Sequence, residues 1–205
     1  MIPNVLSIAG VDPSGGAGVF ADLKAFSALG AYGCGVVTAL TAQNTQRVDG
    51  VELVDPAFVT AQLDTLFDDV RIDAIKIGML GSSALIDAVA DGLRKHAGGI
   101  PVVLDPVMVA KSGDALLQAD AVAALRERLL GLATVITPNL PEAGALLDEP
   151  APASLAAMRE VAPRLRGLLG ADTWVMLKGG HHRYAIAKEI GEKYIPIYVE
   201  PKYRK

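Results

Sequence analysis

Cysteine, aromatic residues and clustered positive charge are all scarce in this sequence. A single cysteine, Cys34, among 205 residues permits no internal disulfide and no cysteine-built metal cluster. On an apolar stretch it reads as a small buried residue. His181 and His182 are adjacent, with no third metal ligand at suitable spacing, so they read as loop or packing residues. A net charge of −4, with no Lys/Arg cluster in the first 180 residues, argues against nucleic acid as a partner. Apolar runs such as the one ending at Leu40 are broken by Gly and Thr well short of membrane-spanning length, so no membrane partner is expected. Met1-Ile2-Pro3-Asn4 enters an apolar strand without a positively charged leader, and the cytoplasm is the expected compartment.

What is present is a hydrophobic fraction of 51% against 20% charged residues, enough for one α/β domain with a substantial core. Short apolar runs alternate with amphipathic stretches, the pattern of repeated βα units on a mostly parallel sheet. Strands are expected near Val5–Ala9, Gly35–Leu40, Ala74–Ile77, Val102–Leu104, Thr134–Ile136 and Trp174–Leu177. Helices are expected near Ala17–Leu29, Pro56–Phe67, Ser82–His96, Ala119–Leu130, Pro141–Leu147 and Leu155–Leu169. Asp55-Pro56 supplies a cap and a first-turn proline, and Leu140-Pro141-Glu142 puts a proline and an acid in another first turn. The spacing of Leu85, Ile86, Val89 and Leu93 gives one buried helix stripe.

Residues 183–205 differ from the body. Up to His182 there are five lysines and one tyrosine; from Arg183 onward there are four of each. The expected division is a core over 1–182 and an atypical Lys/Tyr-rich tail over 183–205, either a basic surface tail or a replaced terminus. Within it Tyr184–Lys193 suits one short helix and Tyr194–Val199 an edge strand, since Pro196 is tolerated at an edge.

Polar residues gather just past the predicted strands. The first runs into Gly10-Val11-Asp12-Pro13-Ser14-Gly15-Gly16-Ala17-Gly18 before a helix, where glycines let backbone approach a ligand. The third is followed by Gly78-Met79-Leu80-Gly81 and the fourth by Asp105-Pro106-Val107-Met108 and Lys111-Ser112-Gly113-Asp114. The fifth leads to Thr137-Pro138-Asn139-Leu140-Pro141-Glu142, and the sixth to Lys178-Gly179-Gly180-His181. In an open parallel sheet these ends share one edge, where ligands bind. Asp, Asn, Glu and Lys converging there suit a hydrated Mg²⁺ and a polyphosphate. Each piece alone has a plainer reading: a tight turn for the glycines, a turn cap for Asp105, a surface charge for Lys178. The first turn lacks the Gly-Lys-Ser/Thr of a P-loop, and Gly10 opens no G-x-G-x-x-G run.

Together the segments resemble a known family. Ser7–Gly18, Ala21-Asp22-Leu23-Lys24, Thr38–Thr45, Lys76–Leu80, Leu104–Met108, Lys111–Asp114, Thr137–Ala143 and Leu177–His181 are similar, in order and spacing, to hydroxymethylpyrimidine/phosphomethylpyrimidine kinases of thiamine biosynthesis. The resemblance implies a ribokinase-like three-layer α/β/α fold with a mostly parallel sheet, C-terminally truncated here. It implies ATP- and Mg²⁺-dependent phosphorylation of 4-amino-5-hydroxymethyl-2-methylpyrimidine and then of its monophosphate, with pairing as a homodimer. By position, Gly10, Asp22, Gln43, Met79 and Val107 line the pyrimidine pocket, Gln43 offering both a donor and an acceptor. Asp105, Asn139 and Glu142 organise the nucleotide phosphates, Asp105 and Glu142 holding Mg²⁺ partly through water. Lys178 is the catalytic residue, neutralising charge on the transferring group. Lys111–Asp114 is a mobile flap that excludes water on closure.

The resemblance also implies a Gly-Thr-Gly-Cys segment after this lysine, forming an anion hole, and residues 183–205 contain none. The expectation is turnover reduced on the order of 10²–10³-fold for even one lost donor. A non-catalytic fold carrier that binds pyrimidine or phosphate weakly is the alternative, and a pyridoxal-kinase-like vitamin kinase is a further one.

Overall fold

The computed structural model describes residues 1–108, 120–169, 173–179, 182–186 and 195–197. The expected flap at Lys111–Asp114 lies outside the described residues, as do Gly180 and His181.

The chain order is β1 (Asn4–Val11), α1 (Gly18–Ala28), β2 (Tyr32–Gln43), β3 (Val48–Leu53), α2 (Pro56–Asp69), β4 (Ala74–Ile77) and α3 (Ser83–His96). It continues through β5 (Val102–Leu104), α4 (Ala121–Ala124), β6 (Val135–Ile136), α5 (Leu140–Leu147), α6 (Leu155–Gly167), β7 (Trp174–Gly179), β8 (His182–Ile186) and β9 (Ile195–Ile197). One sheet holds them all, in the order β3-β2-β1-β4-β5-β6-β7-β8-β9. From β2 to β7 neighbours are parallel; β3, β8 and β9 add antiparallel edges.

The direction of winding decides where a ligand can go. The chain steps from β1 outward to β2, and later from β4 outward the other way to β5. Right-handed crossovers in opposite directions put α1 and α3 on opposite faces and open a crevice at the carboxyl ends of β1 and β4. Burial on both faces explains the unbroken apolar reading of β1, whose Leu6, Ile8 and Ala9 are fully buried. The stripe Leu85, Ile86, Val89 and Leu93 of α3 is buried as expected. Gly92 lets α2 come close, since a Cβ there would stand 2.6 Å from Leu63 Cδ1.

The helix starts follow their signals. Asp55 accepts from the N–H groups of Ala57 and Phe58 at the head of α2, with Pro56 in its first turn. Ser82 caps α3, whose last turn carries Arg94, Lys95 and His96 against the dipole. Asn139 and Glu142 close a reciprocal capping box on α5.

Three elements depart from expectation. β3 was not predicted as a strand; its exposed, Asp-Gly-containing stretch is held by antiparallel pairing with β2. Tyr184–Ile186, expected to begin a helix, belong to β8 because β7 offers an edge that pairs from Val175 to Gly179. The helix expected over Ala119–Leu130 is a single α turn at α4, followed by a π turn at Leu125–Leu129 and a 3-10 turn at Leu130–Leu132. The edge strand expected at Tyr194–Val199 is seen as β9. Among the described residues no helix is long and apolar enough to cross a membrane.

Candidate active site

The glycine-rich turn after β1 is organised by Asp12, which is buried. Its carboxylate accepts from Ser14 N at 2.8 Å, Ser14 Oγ at 2.9 Å and Gly16 N at 3.1 Å, so it is taken up in shaping the turn. Gly18 has φ +60°, and a Cβ there would lie 2.1 Å from the carbonyl oxygen of Gly10. Only glycine permits that return of the chain against β1. The Lys24 ammonium donates to the carbonyl oxygen of Gly15 and ties the turn to α1. No side chain caps the first turn of α1.

Asp22 stands one turn further along α1, above β1 and β4. Ser7 and Lys76 are direct neighbours across those strands and present their side chains to it. Asp22 Oδ2 accepts from the Ser7 hydroxyl at 2.7 Å and from the Lys76 ammonium at 2.8 Å. Gln43 closes β2, and its Oε1 lies 3.2 Å from the Thr41 hydroxyl. Met79 follows β4; its carbonyl accepts from the buried Thr38 hydroxyl at 2.7 Å. A Cβ on Gly10 would lie 3.0 Å from Met79 Cε, so the glycine makes room for the thioether.

A second group forms past β5, β6 and β7. Asp105 Oδ1 accepts from the Lys178 ammonium at 2.5 Å and from the Thr137 hydroxyl at 2.9 Å. Lys178 N donates to the carbonyl of Pro138, which brings β7 against the turn that starts α5. In the capping box Asn139 N donates to Glu142 Oε2 at 2.7 Å, and Glu142 N donates to Asn139 Oδ1 at 2.8 Å. Burial pushes the Glu142 carboxyl above its ordinary value, and the charge of Asp105 adds to this. The hydrogen bonds at Asn139 and Met108 and the nearby Lys178 ammonium oppose the shift without reversing it.

Both groups face one cavity of about 560 Å³. All nine residues singled out in the sequence line it: Gly10, Asp22, Gln43, Met79, Asp105, Val107, Asn139, Glu142 and Lys178. The hairpin from Asn44 to Val48 lines it as well, which follows from the unpredicted β3. Sequence reasoning gave no role to Asp12, Lys76 or Arg47, which also line it. Among these, Lys76 carried one usable signal, a lysine inside an otherwise apolar strand run. A cavity of about 450 Å³ between Leu93 and Thr134 has Arg94 as its one ionisable lining residue. Arg94 is engaged there by Asp91 and the carbonyl of Arg128.

Known proteins share this fold. A family model described as phosphomethylpyrimidine kinase matches residues 12–193. A hydroxymethylpyrimidine/phosphomethylpyrimidine kinase from Escherichia coli (strain K12) is 56% identical over 179 residues, covering 87% of this chain and 66% of that protein. The chain thus spans just under two thirds of the length of that relative. The crystal structure of phosphomethylpyrimidine kinase from Clostridium difficile 630 superposes with a TM-score of 0.85 at 36% identity, covering 97% of this chain and 85% of that one. An ADP complex of Bacillus subtilis pyridoxal kinase gives a TM-score of 0.84 at 33% identity, covering 98% and 76%. With 182 of its residues inside the family model (12 to 193 inclusive) and a TM-score of 0.85 to a solved phosphomethylpyrimidine kinase, the chain belongs to the phosphomethylpyrimidine kinase family, with its ribokinase-like α/β fold.

Proposed function

We propose that this protein transfers the γ-phosphoryl group of ATP to the hydroxymethyl oxygen of 4-amino-5-hydroxymethyl-2-methylpyrimidine, and then to its monophosphate, in thiamine biosynthesis. The observation that carries the reading is the convergence of all nine sequence-singled residues on one cavity at the carboxyl edge of the sheet. Gly10, Asp22, Gln43, Met79 and Val107 bind the ring. Gln43 supplies a donor and an acceptor to the aminopyrimidine edge, and Met79 and Val107 pack on its faces. Lys178 faces the transferring phosphoryl group, and Asn139 with Glu142 fixes the turn that the nucleotide phosphates meet.

The donor set also suits Mg²⁺. Asp105 and Glu142 are oxygen donors close enough for the charge of Asp105 to act on Glu142. Among the described residues no group of three His, Cys, Asp or Glu side chains could cage an ion. A hydrated cation, held by two carboxylates and by phosphate oxygens, fits this set. When bound, it supplies neutralising charge to the phosphates. Lys178 and Asp105 already compensate one another at 2.5 Å. With substrate bound, Lys178 would face phosphate and Asp105 would help hold the cation, so neither side chain's charge would be left uncompensated.

The proposal extends to a core over residues 1–182 with 183–205 as a compositionally distinct tail whose strands continue the core sheet, a homodimer, and a cytoplasmic location. The likeness to pyridoxal kinase favours one second reading, a related vitamin kinase acting on pyridoxal.

Measuring ADP release with the pyrimidine and with pyridoxal separates these readings. Release that depends on the pyrimidine and is lost in Lys178→Ala supports the kinase. Preference for pyridoxal supports the second reading. Pyrimidine binding by calorimetry without any release leaves a fold carrier.

A further inference from the structure

We infer that Lys76 and Ser7 form a positioning device that makes the aminopyrimidine pocket selective, by holding Asp22 as an oriented acceptor for the ring's amino group. The inference rests on the proposed pyrimidine site and adds two residues to which that reading assigns no part.

Three independent features converge on the pair. Ser7 and Lys76 are register partners on β1 and β4, so their side chains rise from the same face of the sheet toward α1. Both donate to the same oxygen of Asp22, at 2.7 and 2.8 Å, and among the described residues no group donates to Asp22 Oδ1. Ser7 is fully buried, and the side chains of Lys76 and Asp22 are only 23% and 18% exposed, at the wall of the cavity. Gly78 completes the seat: a Cβ there would stand 3.0 Å from Lys76 Nζ and 3.0 Å from Ala9 Cβ. The lysine therefore occupies space that a side chain at 78 would take.

The chemistry follows from the donor count. An ionised carboxylate only accepts hydrogen bonds, and two donors on Oδ2 fix its plane. Oδ1 is then the oxygen left for a ligand, and it selects a ring bearing an N–H donor over the same ring without one. A charge-assisted hydrogen bond of this kind discriminates by about tenfold to a hundredfold.

The test compares binding of 4-amino-5-hydroxymethyl-2-methylpyrimidine with its analogue lacking the amino group, by calorimetry, with melting curves to establish folding. The unaltered chain should prefer the amino compound by that factor. Lys76→Met should reduce the preference several-fold, to what the Gln43 acceptor alone supplies, by weakening the amino compound, while the des-amino analogue binds within about threefold of the unaltered chain. Ser7→Ala, which keeps the ion pair, should erode the preference by a smaller factor, and it serves where Lys76→Met does not fold. A loss shared equally by both ligands, or an undiminished preference in both variants, overturns the inference. An unaltered chain that binds both ligands equally overturns it too, but leaves the pyrimidine site standing. An unaltered chain that binds neither overturns both.

Discussion

The cavity contains two lysine–aspartate pairs built on one pattern, and their surroundings differ in a way that separates the two halves of the site. Lys76 on β4 and Ser7 share one oxygen of Asp22; Lys178 on β7 and Thr137 share one oxygen of Asp105. In each pair an ammonium and a hydroxyl orient the carboxylate through one oxygen and leave the other without either donor. Around Asp22 one positive charge meets one negative. Around Asp105 a second carboxyl, Glu142, feels both Asp105 and Lys178, so two carboxyl groups share one ammonium there. A balanced pair suits an uncharged ring. An excess of acid suits a cation arriving with phosphates. The same local motif thus serves two kinds of ligand because of one buried neighbour.

Removing the ammonium on β7 should have the largest effect. Lys178→Ala is expected to lower pyrimidine-dependent ADP release by on the order of 10²–10³-fold, as for a lost charge-stabilising donor. Its calorimetric affinity for the pyrimidine should stay within about threefold, because a neutral ring gains little from that charge. Equal losses in release and in ring affinity would show that the two halves are not separate.

The comparison also marks what a sequence can carry. The strand ends were legible because Gly, Asp and Asn interrupt apolar runs there, and the nine residues given binding or catalytic roles line the cavity. The role of Lys76 was not legible. It depends on a register that sets residue 76 beside residue 7 and on a helix that brings Asp22 over them. β3 was invisible for a related reason: Val48-Asp49-Gly50 reads as a turn, and only pairing with β2 makes it a strand. At Tyr184–Ile186 the local pattern favours a helix, but the open edge of β7 supplies hydrogen bonds that outweigh it.

Glu142 permits an intermediate test of the excess-acid half. Its carboxyl is raised above the ordinary 4.5 in the folded chain, chiefly by burial. The folded state therefore holds that proton more tightly than the unfolded state. The resulting stability is fully present below 4.5 and is lost as pH rises through the folded value. Glu142→Gln keeps an oxygen to accept from Asn139 N and carries no charge at any pH. The melting temperature of the variant minus that of the unaltered chain should grow as pH rises from 4.5 toward 7, and it should be smallest at the acid end. A difference independent of pH would mean that Glu142 is compensated as fully as Asp22, and the contrast between the halves would fail. The apparent Mg²⁺ affinity in the ADP-release assay should fall as well, by about tenfold.

The smallest effects should come from the two hydroxyls. Ser7→Ala and Thr137→Val each remove one donor from a carboxylate oxygen that keeps its ammonium, so neither leaves a charge without a partner. Ser7 is fully buried and Thr137 only partly, so the hydroxyl of Ser7 has no water to replace it. We expect Ser7→Ala to cost about 1–1.5 kcal/mol and Thr137→Val about 0.5 kcal/mol, read from chemical denaturation at neutral pH. Functionally the two should diverge along the line between the halves. Ser7→Ala should weaken the pyrimidine by a few-fold with little change in ATP dependence, and Thr137→Val should do the reverse. Thr137→Val raising the pyrimidine Kd as much as Ser7→Ala would mean that the carboxylates communicate across β5 and β6, and that the cavity acts as one charge network rather than two.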